Sequence, residues 1–136
     1  MDDLKTLLIS LFGFCFGLFV EGFSRIIITF FHKTELSFFG TIGLPSTSWV
    51  IVIFVVSFVG SWLGSMLAFS FAKNKTQKVF TILLVIQILW IAFETLASFN
   101  VLPAWYLITF PITSILAIFT AKYTYQLNEI STNTDD

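Results

Sequence analysis

Charge is scarce in this chain of 136 residues, of which only 11% are Asp, Glu, Lys or Arg. That is less than half the share usual in soluble domains. Seven basic and eight acidic residues leave a net charge of −1, so a nucleic-acid partner is not expected. Cysteine is nearly absent. Cys15 stands alone, so no intramolecular disulfide can form, and its apolar neighbours mark it as a small packing residue. Histidine also occurs once, as His32, and no Cys/His spacing suits a metal. There is no Gly-rich phosphate loop. No nucleophile, base and orienting group stand at a readable spacing. Enzymatic chemistry, a cofactor and a metal are therefore not expected.

What fills the chain instead is hydrocarbon, at 57% of residues. It falls into four apolar runs, at residues 7–31, 49–72, 79–99 and 104–125, of 25, 24, 21 and 22 residues. A helix needs about 20 apolar residues to cross a bilayer core, so each run qualifies. Together they occupy 92 of the 136 residues, which leaves no room for a separate soluble domain. Lipid offers backbone groups no partner, and nothing here alternates like a barrel strand. The expected fold is an all-α membrane protein, one four-helix transmembrane bundle over residues 1–127. Residues 128–136 are polar and without apolar period, and read as a disordered cytoplasmic tail. The start carries Asp2 and Asp3 against Lys5, and the run behind it is too long for a signal peptide. It reads as a retained first helix.

Lys and Arg in short loops set topology. Lys5, Lys73, Lys75, Lys78 and Lys122 collect on one side, against Lys33 and Arg25 on the other. Both termini are therefore expected in the cytoplasm, in a multi-pass protein of the plasma membrane. Between the first two helices lies a long connection with Gly40, Gly43 and Pro45 as turn-formers. Between the last two, Asn100 to Pro103 is so short that a tight antiparallel hairpin is expected. Trp49 and Trp105 flank helix ends as interfacial anchors, while Trp62 and Trp90 lie deeper. Pro111 removes a backbone donor within the fourth helix and should loosen the turn around Leu107.

The segments at 65–73 and 114–122 share Ser, Leu, two Ala and Lys at five of nine places. Two related helical hairpins would fit, although such matches also arise by chance in membrane helices of simple composition.

Acids at membrane depth are costly and usually have a partner or a task. Two of them, Glu21 and Glu94, interrupt the apolar runs. Gly13, Gly17, Glu21 and Arg25 follow at four-residue spacing and share one helix face. The face reads as a packing seam ending in a charged pair, with His32 near it at the helix end. Insertion remains favourable. The run's 16 Leu, Ile, Phe and Val residues contribute roughly −5 to −10 kcal/mol, against roughly 5 to 7 for two central charges. On the third helix Gln87, Glu94 and Ser98 share a face, interrupted by Ile91, and Asn100 follows. Glu21 and Glu94 should lie at similar depth near the outer ends. If their faces meet, two acids share one base, and one of them should retain a proton. The second helix carries the rows Ser57, Ser61, Ser65 and Gly60, Gly64, Ala68, Ala72. Such spacing signals close helix contact, within the chain or in a dimer.

The order of these features resembles a group of small uncharacterised bacterial four-helix integral membrane proteins. Glu21 is similar to the group's first-helix acid, and the stretch from Gly60 through Gly64 to Ala68 to its Gly-rich second helix. Asn100, Pro103 and Trp105 resemble its element before the fourth helix. Ser65 stands where a Gly is usual, the first outer loop lacks a proline cluster, and the fourth helix lacks a closing Gly pair. The resemblance implies the architecture and a bacterial inner membrane, but no activity. The small multidrug exporters also have a first-helix Glu, yet theirs lies near mid-membrane in a shorter chain, and Arg25 one turn beyond Glu21 would neutralise an exposed cation site. The fluoride channels share the size, but their in-helix Asn and early Gly/Arg pattern are missing here.

Two functions follow. One is a structural or accessory membrane protein, with membrane lipid and a homo-oligomer or membrane-protein partner around it. The other is a small proton-linked transporter or channel with Glu21, Arg25 and Glu94 around an outer vestibule.

Overall fold

The computed structural model describes residues 2–38, 40–100 and 102–132, with only the backbone given for Asp2, Lys73, Ser98 and Thr132. Among these the chain forms four long α-helices and no strand. They are α1 (Asp2–His32), α2 (Thr47–Ala72), α3 (Thr76–Ser98) and α4 (Ala104–Thr132). Each is long and apolar enough to cross a membrane.

The helices outrun the apolar runs that define them. α1 begins at Asp2 and α3 at Thr76, because polar residues can prolong a helix that an apolar stretch has already nucleated. The same effect corrects the expected tail. α4 continues through Asn128 to Thr132, and the rest of that segment, residues 133–136, lies outside the described residues. α4 also runs unbroken through Pro111. α1 stops where Lys33 turns left-handed, at φ 53°, as residues just past a helix end often do.

α1 and α2 make the most extensive contact, and the order around the bundle is α1, α2, α4, α3. α2 and α3 also touch across the middle. The start of α1, the end of α4 and the short 3₁₀ link at Lys73–Lys75 lie at one end, here the terminal end. There Lys78 pairs with Asp3, and Lys122 donates to Gln77 and lies 4.1 Å over the Phe80 ring. The 33–46 loop and the turn before α4 make the opposite, distal end.

Glycine explains the α1–α2 contact. A Cβ on Gly17 would come within 3.0 Å of the Gly60 carbonyl oxygen, and one on Gly60 within 2.9 Å of that of Gly17. At Gly13 and Gly64 an added Cβ would collide outright with the opposing backbone, and Ala68 packs beside Gly13. The small-residue row of α2 is thus occupied by α1 of the same chain.

Apolar packing lies in two blocks. One, toward the terminal end, contains Ala68, Phe69, Val79, Leu83, Ile118 and Ala121. The other, toward the distal end, contains Val50, Leu102, Tyr106 and Phe110. The similar segments on α2 and α4 are buried at matching positions. Ser65, Ala68 and Ala72 on α2 answer to Ser114, Ala117 and Ala121 on α4. Large apolar side chains such as Phe19, Phe30, Leu89 and Leu96 point outward. That outward face is what a lipid-embedded helix needs.

Candidate functional site

Polar groups are collected between the two apolar blocks. Ser57, Ser65, Gln87 and Ser114 are buried and line a narrow central space of about 20 Å³, which Glu21 also reaches. That is room for a single water, which requires about 10–15 Å³.

Beyond it, toward the distal end, a larger cavity of about 190 Å³ opens between α1 and α3. Leu18, Glu21, Gly22 and Arg25 of α1 form one wall, Trp90 and Glu94 of α3 the other, and Phe38 of the loop covers it. Leu18, Glu21 and Trp90 border both spaces. Glu21 and Glu94, 73 positions apart in sequence, therefore face one volume.

Helical spacing brings Arg25 over Glu21. The guanidinium donates to Glu21 Oε1 from Nε at 3.2 Å and from Nη2 at 3.1 Å. The arginine is only 2% exposed and does more than pair with that acid. Nη2 also donates to the Gly40 carbonyl at 2.9 Å, and Nη1 to that of Ser37 at 3.4 Å. Arg25 thus ties the 33–46 loop down over the cavity. Gly40 suits this role because its φ is +51° and a Cβ there would strike the Leu102 side chain. The second oxygen of Glu21 accepts a 2.7 Å hydrogen bond from Ser57 on α2. Glu21 is thereby fixed by two elements.

Glu94 is 5% exposed and differently placed. Its carboxylate interacts with the Gly40 backbone N–H and lies near Glu21, Arg25 and the Tyr106 hydroxyl. Tyr106 is 1% exposed, and its hydroxyl lies beside Glu94 and Arg25. Among the described residues, two carboxyl groups here share one guanidinium.

No family model, curated protein or solved structure matches this chain. The geometry alone must carry the function.

The other residues singled out from the sequence lie elsewhere. Gln87 faces the small central space, about two turns from Glu94. Asn100 is exposed in the turn after α3 and lines neither space. Ser98 ends α3, and its side chain is outside the described residues. Gly13 and Gly17 meet Gly64, Ala68 and Gly60 in the α1–α2 seam. His32 is exposed, with its ring 4.9 Å from that of Trp49. Cys15 is exposed on the outer face of α1 rather than packed inside. Spacing alone could not say which side of α1 it would take.

Tyr106, Ser57 and Phe38 were not singled out for the site. Ser57 could have been found, since its hydroxyl stands in a small-residue row facing α1. Tyr106 and Phe38 carried no signal, because aromatic residues fill this chain.

The Ser57 bond gives a measurable expectation. A hydrogen bond to a charged group is worth about 1.5–3 kcal/mol. Ser57→Ala should lower the stability of the detergent-solubilised protein by about that much, read from its unfolding in SDS. Ser61→Ala, one turn away, should change it little.

Proposed function

We propose that this is a multi-pass protein of the plasma membrane with both termini in the cytoplasm, and that it acts as a small proton-linked transporter. The convergence of Glu21 and Glu94 on one cavity carries this reading. The orientation rests on Lys5, Lys75, Lys78 and Lys122, which stand at the end where α1 begins and α4 finishes. The cavity then faces the outer leaflet.

Glu21 is committed to Arg25 and Ser57, so Glu94 is the group free to exchange a proton for a solute. The small polar space beyond Glu21, with Ser57, Gln87 and Ser114, offers the next step inward. A buried carboxylate beside another acid and facing a cavity is the ordinary furnishing of a proton-coupled path. The accessory reading draws support from Arg25, whose donors are taken up by its own chain. It loses support at α2, whose small-residue row is covered by α1 and is not left for a second copy.

Proteoliposomes loaded with a pH-sensitive dye test the proposal. The panel is alkali cations, small amines, quaternary ammonium ions and amino acids. At least one should change luminal pH with wild-type protein, and Glu94→Gln should reduce that signal at least tenfold. Folded protein that moves nothing across the panel would remove the reading.

A further inference from the structure

The charged cavity does not end at its polar walls. Trp90 lines it and also lines an apolar groove. The groove has a volume of about 380 Å³ and is lined by Phe14 of α1 and by Ile86, Leu89, Trp90 and Phe93 of α3. Trp90 is held between its neighbours, 6.0 Å from the Phe14 ring and 5.6 Å from that of Phe93. The groove runs along the outside of α1 and α3, where Leu89 and Phe93 are exposed.

We propose that cavity and groove together form one site for an amphipathic monocation, an ammonium headgroup carrying an apolar tail. This names the substrate class of the transport reading above and rests on it. Two observations select that chemistry. The cavity holds two carboxyl groups against one guanidinium, and Glu21 pairs with it, so a monocation can take the place of a proton on Glu94. The aromatic residues Phe38 and Trp90 line the same space, and an ammonium is attracted to ring faces. The groove then takes the tail, which otherwise would have to leave lipid for a polar pocket. Its lateral position lets the molecule reach the site from the bilayer, between α1 and α3. Arg25 carries the same sign as the headgroup, but its charge is paired with Glu21, which leaves Glu94 to face the headgroup.

The test is calorimetric titration of the full chain in nanodiscs of uncharged lipid, with the heats of empty discs subtracted. Hexyltrimethylammonium is the probe. Tetramethylammonium presents the headgroup alone, and hexyl sulfate the same tail with the opposite charge. Hexyltrimethylammonium should bind saturably, at least tenfold more tightly than either of the others. These comparisons use wild-type protein, so they do not depend on any variant folding. Glu94→Gln should weaken hexyltrimethylammonium at least tenfold. Phe93→Ala should narrow its advantage over tetramethylammonium while leaving tetramethylammonium unchanged.

Equal binding of hexyl sulfate, or no saturable binding above empty discs, would overturn the site. An unchanged advantage in Phe93→Ala would overturn the groove's part in it. The transport reading fails separately. Cation binding that depends on Glu94, with no flux for any solute, keeps the site and removes transport. Flux of another solute without cation binding does the reverse.

Discussion

Gly64→Leu should prevent α1 and α2 from docking, and little folded protein should survive extraction into mild detergent. The reason is the closeness of two backbones. A single Cβ at Gly64 would already overlap the Gly13 carbonyl and come within 3.1 Å of the Gly17 amide nitrogen. Neither is a flexible side chain that could swing aside, so the helices themselves must part. Overpacking typically costs about 1–3 kcal/mol, and a clash with backbone belongs at or above the top of that range. Whole-protein stability is only about 5–15 kcal/mol, so the loss is a large share of it. The separation would also move Glu21 away from Ser57, because the same two helices carry them. Gly22→Ala is the matched control. Its Cβ would meet only the Phe38 ring, at 3.3 Å, and a loop side chain can yield. SDS titration of both variants should show a loss of at least about 3 kcal/mol for Gly64→Leu and under about 1 for Gly22→Ala. Similar losses would mean that the seam is not what holds α1 to α2.

The contrast between these glycines shows what a sequence makes legible here. The four helices follow from hydropathy, because no other structure lets such runs satisfy their backbone in an apolar setting. The stripe from Gly13 to Arg25 follows from helical spacing, which fixes neighbours within one helix. Which helix faces that stripe is a different kind of fact. It depends on the rotation of α2 about its axis, and its two rows of small residues left that open. The same holds for Glu94. Spacing placed it at the depth of Glu21, but only the packed bundle shows both on one cavity. Least legible was the loop. Arg25 holds it through the carbonyls of Ser37 and Gly40, and every residue has a carbonyl. The left-handed Gly40 was visible only as a turn-former. The helix ends were misjudged for a related reason. Hydropathy marks where lipid contact can stop, not where the backbone stops coiling, and α4 runs on to Thr132.

Arg25→Gln should be among the most destabilising changes in the chain, and Glu21→Gln in the same molecule should partly rescue it. Removing the guanidinium leaves Glu21 beside Glu94 with no cation between them. Breaking a buried ion pair from one side typically costs about 3–5 kcal/mol, because the remaining charge stays buried and unpaired. Two further hydrogen bonds, to Ser37 and Gly40, vanish with it, so the loop loses its tie. Neutralising Glu21 as well removes the stranded charge but cannot restore the loop. The double variant should therefore sit between the single Arg25 variant and wild type, with a coupling of about 1–3 kcal/mol in a double-mutant cycle. Strictly additive losses would show that the pair has no bearing on the fold. Arg25→Lys should fall short of wild type too, since one ammonium cannot span Glu21 and two carbonyls as the planar fork does. Loop release can be read independently by hydrogen–deuterium exchange at the Gly40 amide, which is buried and faces Glu94. Its exchange should be slow with Arg25 present and at least tenfold faster in Arg25→Gln. A rate that ignores Arg25 would mean that something else holds the loop over the two acids.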